Sequence, residues 1–371
     1  MPNPNAIVSQ VVRIDPPIDV PTPDAREFTI HLENERTVRL DPADRTSAGR
    51  ARVLDGLRQL RKPAYLEIDP ATSFITRVLI PYVTRVHGIR PLDVGVLSVE
   101  IEQSHARHLL RLNSPDAPEL EATLRESMRT KMPVSVAETD AHEIVDVRPF
   151  PTGTGGPPMP RPEYPPIPPW SFDWIKHRLW WLARCRWWPW RWFRCLSPVR
   201  AQQVFDAMSA TSCAPLTVPP PCIPFMYPDD GCWGRASEMC RLMIAMGLSP
   251  KKVWIQGSLH TDTRNNPQCF VNWGWHVAPT LCVRGRRFWQ ARDMVIDPSL
   301  FTTPVSQATW KGVQGDPGAT LTPTSASIFM LFGMQTDPTY TLTNQVLATY
   351  RLYLLNRSLS PVGPPPYAAC P

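Results

Sequence analysis

Alternating apolar and polar positions occur twice in the first 150 residues, and an apolar helical stripe follows each time. Phe28, Ile30 and Leu32 alternate in the first unit, and Val99 and Ile101 in the second, which is the period of a half-buried strand. Apolar residues then recur at helical spacing in each unit: Val53, Leu54, Leu57 and Leu60 in the first, and Leu120, Leu124 and Met128 in the second. Each stripe stops at a proline, before a pair of short strands. We therefore predict a duplicated β-β-α-β-β module over residues 26–150, with a binding or structural role.

The remaining divisions follow from proline and cysteine. Residues 1–25 are rich in proline and polar side chains and are predicted to be a flexible arm. Proline density over residues 151–169 favours an extended polyproline II linker. All nine cysteines lie at or after Cys185, and their spacing matches no zinc motif. We predict one catalytic domain over residues 197–371, and we predict no metal or cofactor.

A segment rich in tryptophan and arginine, residues 170–196, separates the linker from this domain. Such a composition suits contact with a membrane interface or a partner, while packing of the rings on the next domain explains it equally well. The formal net charge of +6 is modest for 371 residues, and we predict no nucleic-acid partner. We find no signal peptide and no transmembrane stretch, so localisation stays open and export by a signal-independent route is plausible.

Candidate chemistry begins at Cys232. Apolar residues at helical spacing follow it, and the turn sequence Asp229-Asp230-Gly231 precedes it, so Cys232 is predicted at a helix N-terminus. The partial positive charge there stabilises a thiolate and is expected to lower the thiol pKa. A structural cysteine would fit the same position, and the later residues decide between the two.

Two predicted strands flank a hairpin turn at Arg284–Arg287. If the turn centres near Arg286, antiparallel pairing places His276 opposite Asp297, close enough for a carboxylate to hold an imidazole. A helix-borne cysteine that faces such a hairpin is the arrangement that activates a thiol for acyl transfer. The catalytic residues predicted from this pattern are therefore Cys232, His276 and Asp297.

The sequences YPDDGCWGRASEM, NWGWHVAP and MVIDPSLF resemble those of the protein-glutaminase family, over roughly residues 200–345. The resemblance implies an α+β fold with a papain- or transglutaminase-like core, in which an antiparallel sheet faces the helix that bears the nucleophile. It also implies a disulfide between Cys213 and Cys222. Members are commonly secreted with an N-terminal pro-region. This chain departs from the family where Gly234 follows Trp233, a position that is usually alanine.

The resemblance implies that the substrates are proteins with exposed glutamine, which become glutamate through a cysteine thioester. Four residues are predicted to bind substrate: Trp233, Trp273, Trp275 and Ser299. The two tryptophans beside His276 would wall a slot for the glutamine stem, although core packing explains them as well. Two alternatives stay open: a toxin or effector that uses the same chemistry, and a transglutaminase or cysteine protease with the same triad.

Overall fold

The computed structural model describes residues 3–18, 27–102, 104–150, 195–285 and 290–371. It is a mixed α/β fold with antiparallel sheets and few helices. The helices are α1 (Ser47–Gln59), α2 (Ala117–Thr130), α3 (Pro198–Ser209), α4 (Cys232–Ala245), α5 (Gln307–Gly312) and α6 (Thr341–Ser358). The strands of the first half are β1 (Ala6–Asp15), β2 (Phe28–Leu32), β3 (Thr37–Leu40), β4 (Pro63–Ile68), β5 (Ile75–Leu79), β6 (Tyr82–Thr84), β7 (Val86–Asp93), β8 (Val96–Ile101), β9 (His108–Arg111), β10 (Val134–Glu138) and β11 (Ile144–Pro149). Those of the second half are β12 (Lys251–Asp262), β13 (Phe270–Arg284), β14 (Ala291–Val295), β15 (Val305–Ser306), β16 (Thr320–Ser325), β17 (Ile328–Met330) and β18 (Gln335–Thr336).

Strand β1 corrects the prediction of a flexible arm over residues 1–25. Its first part pairs with β4 and its second part with β2, which makes it the centre of the sheet β3-β2-β1-β4-β5. Ile7, Val11 and Ile14 are buried there. Prolines flank β1 on both sides, and for this reason the sequence analysis assigned the segment to an arm. The β-branched residues of β1 nevertheless suit a central strand. Residues 19–26 lie outside the described part of the chain.

Residues 82–149 use the same order of elements. Strand β6 pairs with β10, and β7 pairs with β8. Strands β6 and β7 together therefore correspond to β1, which pairs with both β4 and β2 in the first unit. Helices α1 and α2 each stand between two pairs of strands, as the periodicity predicted. Whether one unit arose by duplication of the other stays a prediction.

In the second half, helix α4 packs on β13 of the antiparallel sheet β15-β14-β13-β12-β16, and α6 packs on α4. A papain-like core stays a prediction. Three disulfides link Cys195 to Cys282, Cys213 to Cys222 and Cys269 to Cys370. The second of these is the pairing that the family resemblance implied, and it is confirmed. Cys232 and Cys240 are free thiols, and Cys185 lies outside the described residues.

Helix α6 joins the two halves of the molecule. The Cα atoms of Gly49 and Gly56 on α1 approach it so closely that a Cβ at either would overlap a leucine of the α6 region. The Tyr353 hydroxyl donates to the carbonyl of Ile80 at 2.8 Å, and Asn356 donates to a neighbouring carbonyl of the first half. One apolar cluster contains buried residues from both halves. The first half is therefore packed against the second as a core is, and not merely tethered.

The linker over residues 151–169 and the Trp/Arg-rich segment up to residue 194 lie outside the described residues. Their predicted extension and membrane or partner contact therefore stay predictions. Among the helices that are described, none combines the length and the apolar character that crossing a membrane requires.

Candidate active site

Cys232 is the first residue of helix α4, as the sequence predicted. Gly231 precedes it with φ of 78°, in the left-handed region that glycine adopts without strain. A Cβ at Gly231 would overlap the ring of Tyr350 on α6. The turn into the helix therefore requires glycine both for its backbone angle and for the close approach of an aromatic ring.

Buried charges hold the loop that precedes Cys232. Arg357 of α6 donates from two nitrogens to the carboxylate of Asp229, at 2.6 and 2.9 Å. One guanidinium nitrogen of Arg235 on α4 donates to the carbonyls of Tyr227 at 2.8 Å and Asp230 at 2.5 Å. The Arg357–Asp229 pair is fully buried, and Arg235 satisfies carbonyls of the loop itself. Together they fix the position from which Cys232 starts its helix.

His276 on β13 makes a hydrogen bond from Nε2 to Oδ2 of Asp297 at 2.9 Å. The same oxygen accepts a hydrogen bond from Nε1 of Trp310 at 2.9 Å, and Oδ1 accepts one from the backbone of Ser299. All of these residues are buried. Although burial raises the pKa of Asp297, the facing imidazole and the indole N–H outweigh it and hold this pKa below its usual value.

The register that places these two residues together differs from the predicted one. Strands β13 and β14 pair Thr280 with Val295, and β14 ends there. Asp297 therefore lies beyond the ladder, two residues away from the position opposite His276. It reaches the imidazole because the chain turns at Asp297, whose carbonyl accepts from the N–H of Phe301 at 3.0 Å. The predicted contact exists, but a turn produces it and not direct cross-strand pairing.

The thiol of Cys232 lies near His276. Its Sγ, one ring nitrogen of His276 and one of His105 all lie within 4.8 Å of one another. The expected decrease of the thiol pKa is wrong for this conformation, because burial raises the pKa of Cys232 far above its usual value. A helix N-terminus cannot offset the removal of water from a thiol that is 1% exposed.

Residues 104–107 of the first half exclude water from the thiol. Ala106 forms a bridge with Trp273, and Arg107 N donates to the Asn272 carbonyl at 3.2 Å. The N–H of Gly274 donates to the His105 carbonyl at 2.9 Å, so this segment lies along β13 as an added strand. It directs the fully buried side chain of His105 towards Cys232 and His276.

The four predicted substrate-binding residues all lie near the triad, in different environments. Trp273 stacks on the His276 ring with centroids 4.5 Å apart and donates to the Asp229 carbonyl at 2.9 Å. Trp233 and Trp275 have ring centroids 5.7 Å apart, and the His105 ring lies 5.0 Å from that of Trp275. Ser299 contacts Asp297 through its backbone. Trp273 and Ser299 therefore support the His276–Asp297 pair, and the remaining two tryptophans face the segment that covers the site.

Four residues of the site were missed in the sequence: His105, Asp230, Arg235 and Trp310. Asp230 Oδ2 accepts from the hydroxyls of Ser104 and Tyr350, each at 2.7 Å, and burial raises its pKa. Trp310 lies on a helix that Ser306 caps, so a local signal in the sequence predicts the helix. Nothing local predicts that the Trp310 indole contacts Asp297. His105 is the farthest along the chain from the cysteine, and no local pattern distinguishes it from a core histidine.

The departure at Gly234 has a packing reason. A Cβ at this position would overlap Cγ1 of Val346 on α6, and Val346, which is branched at Cβ, has little rotamer freedom to move this methyl group. Helix α6 therefore lies closer to α4 at this point than an alanine would allow. The change from alanine affects helix packing, whereas the atoms of the triad lie elsewhere.

Comparisons with known proteins agree with the resemblance found in the sequence. Residues 201–314 match a family model described as Glutaminase. The chain has the fold of pro-protein-glutaminase, with a TM-score of 0.50, 20% identity, and coverage of 79% of this chain and 99% of that one. The NMR structure of protein-glutaminase from Chryseobacterium proteolyticum matches with a TM-score of 0.39 and 25% identity, over 48% of this chain and 97% of that one. No curated protein matched the chain.

Proposed function

We propose that this chain, which the comparisons assign to a protein-glutaminase family, is a protein glutamine deamidase that hydrolyses the side-chain carboxamides of protein-bound glutamine. The observation that carries the proposal is the convergence of a helix N-terminal thiol on an imidazole that a buried carboxylate holds. Cys232 is the nucleophile, His276 the general acid and base, and Asp297 the group that orients the imidazole.

The reaction follows from these positions. The Cys232 thiolate attacks the carboxamide carbon, and backbone N–H groups at the start of α4 stabilise the oxyanion. The His276 imidazolium gives its proton to the departing ammonia, which leaves a thioester. His276 then takes a proton from water as that water attacks the thioester carbon, and glutamate and the thiol are released. Asp297 stabilises the imidazolium in both steps, and the Trp310 N–H keeps the carboxylate ionised.

The substrate side chain would enter beside Trp233 and Trp275. Their rings belong to the same apolar cluster as Cys232, and the glutamine stem is apolar. In the described conformation the His105 ring lies next to both, at 6.0 Å from Trp233 and 5.0 Å from Trp275. Substrate can reach Cys232 only when residues 104–107 have moved away from β13. The proposed activity therefore belongs to an open form of the molecule.

The test uses Arg107, because its side chain and its backbone N–H make separable contacts. The side chain donates to Ser258 Oγ at 2.8 Å, and the N–H donates to the Asn272 carbonyl. Arg107→Pro removes both contacts, whereas Arg107→Ala removes only the first. Loss of the backbone bond costs about 1–3 kcal/mol, which raises the open population roughly 5- to 150-fold.

We expect full-length Arg107→Pro to release ammonia from a glutamine-rich protein faster than Arg107→Ala, with the mass gain of deamidation on the substrate. Adding Cys232→Ala should abolish the release. Ammonia release that persists without the thiol would refute the proposal. So would chain cleavage or crosslinking in place of deamidation, since these are the products of the protease and the transglutaminase alternatives. The rate at which Cys232 is alkylated measures opening independently of catalysis. A variant that stays closed can therefore be distinguished from one that opens but is inactive.

A further inference from the structure

Three side chains that meet at the covered site form the ligand set of a transition metal. Cys232 Sγ and one ring nitrogen from each of His105 and His276 lie within 4.8 Å of one another. All three residues are at most 2% exposed. Thiolate and imidazole are the groups that Zn²⁺ prefers in proteins.

Each histidine has one nitrogen engaged and one without a partner. His105 Nδ1 contacts the Trp275 carbonyl at 2.8 Å, and His276 Nε2 contacts Asp297 at 2.9 Å. The opposite nitrogens, His105 Nε2 and His276 Nδ1, are buried without a hydrogen bond. A histidine that binds a metal almost always directs its other nitrogen to a carbonyl or a carboxylate. Both rings here have that support, and one nitrogen of each ring lies within 4.8 Å of the sulfur.

Asp230 borders this set. Its Oδ1 lies 3.1 Å from His105 Nε2 and accepts from the backbone N–H groups of Gly231 at 2.9 Å and His105 at 3.3 Å. Ligand atoms of tetrahedral zinc lie about 3.3–3.6 Å apart, so the three atoms of the set need to approach one another by at most about 1.5 Å, which side-chain rotation provides. A thiolate and a carboxylate would neutralise the charge of the ion in this buried site.

The second histidine cluster of the described residues does not have this property. Glu138 accepts hydrogen bonds from His108 at 2.5 Å and from His142 at 2.7 Å. The opposite nitrogen of His108 contacts Ser104 at 2.9 Å, and that of His142 lies 3.3 Å from Asp229. Glu138 already holds one ring nitrogen of each histidine here, so this cluster is an ion-pair network.

We propose that the covered form of this protein binds Zn²⁺ through Cys232, His276 and His105, with Asp230 as the fourth ligand. Binding releases the thiol proton to solvent and forms the zinc–sulfur bond. Because His105 comes from the first half and Cys232 and His276 from the second, the ion links the two halves and blocks the thiol. By linkage, Zn²⁺ stabilises the covered form, and opening of residues 104–107 releases the ion.

The test is a Co²⁺ titration of the metal-free full-length chain with its disulfides intact, followed by displacement with Zn²⁺. We expect the visible bands of tetrahedral Co²⁺ together with a near-ultraviolet thiolate charge-transfer band, both lost when Zn²⁺ is added. Cys232→Ser should remove the charge-transfer band. The matched control is Cys240→Ser, which changes the other free thiol of the described residues and should retain the band. His105→Ala should weaken binding at least about 100-fold.

His105→Gln is a second variant that keeps a donor for the Trp275 carbonyl, and the far-ultraviolet circular dichroism of each variant reports folding. Weak binding by folded His105→Gln supports the proposal. Three results overturn it: no Co²⁺ spectrum, unchanged affinity without His105, or visible bands without charge transfer that disappear in Glu138→Gln. No substrate is present, so the outcome is independent of whether the chain is a deamidase.

Discussion

Replacing Trp310 by phenylalanine should move the basic limb of the pH profile of the opened enzyme to higher pH. The Trp310 N–H and His276 share Asp297 Oδ2, each at 2.9 Å. A hydrogen bond to a charged group contributes about 1.5–3 kcal/mol, and Trp310→Phe removes it while keeping most of the buried ring. At 1.36 kcal/mol for each pH unit, the pKa of Asp297 should rise by about one to two units.

The sign of the effect follows from the charges. Asp297 has a pKa below its usual value, so it is ionised and stabilises the His276 imidazolium. Without the indole N–H, this carboxylate is more basic and accepts more strongly from the imidazolium. The imidazolium is then stabilised more strongly, so the basic limb of the profile moves to higher pH. The limb should move by less than the roughly one to two units expected for Asp297, because only part of the gain in basicity is passed on to the imidazole.

The assay is ammonia release against pH in the Arg107→Pro background. Trp254→Phe is the matched control, because Trp254 is also 0% exposed and donates its indole N–H to an uncharged acceptor, Thr324 Oγ1, at 3.0 Å. It should lose stability without a change in either limb. If the limbs of Trp310→Phe move no further than those of Trp254→Phe, Asp297 does not control the imidazole in the way we infer.

Three further predictions concern stability. Arg357→Met should lower the free energy of unfolding by about 3–5 kcal/mol in urea titrations, because it leaves the Asp229 carboxylate buried without its guanidinium; a loss below 1 kcal/mol would contradict this. Gly234→Ala should destabilise the chain by about 1–3 kcal/mol despite its better helix propensity, and Val346→Ala should restore part of the loss; a gain in thermal stability would show that α6 yields freely. Burial raises the pKa of Glu138, but two histidines outweigh it and lower the pKa to about 2. The contribution of this carboxylate to the free energy of unfolding is therefore complete above pH 4.5 and is lost as the pH falls towards 2. Glu138→Gln should flatten the curve of stability against pH in that window.

Features that depend on neighbouring residues in the chain were predicted well. The glycine turn before Cys232 and the helix after it follow from local patterns. These elements need only short-range hydrogen bonds and apolar spacing, which a sequence displays directly.

Features that depend on long-range packing were not predicted. The register between β13 and β14 depends on the residues that connect them, and 286–289 lie outside the described part of the chain. A register shift of two residues keeps the same side chains on the same face of the sheet, so the apolar pattern does not reveal it. Strand β1 pairs with β2, which precedes α1 in the sequence, and with β4, which follows it. His105 meets Cys232 across 127 positions of chain, so no periodicity connects them. What decided each case was a tertiary contact that overrides local propensity.

The two aspartates before the nucleophile explain how the site can open without losing its shape. Asp229 has its strongest partner, Arg357, in the same half as Cys232, so the loop keeps this ion pair after residues 104–107 leave. Asp230 is different, since Ser104 and Tyr82 of the first half donate to it. Opening replaces these hydroxyls by water, which returns the Asp230 pKa towards its ordinary value and removes the burial that raises the Cys232 pKa. In the proposed mechanism the thiol is therefore activated by a change in solvation, while the backbone that positions it stays in place.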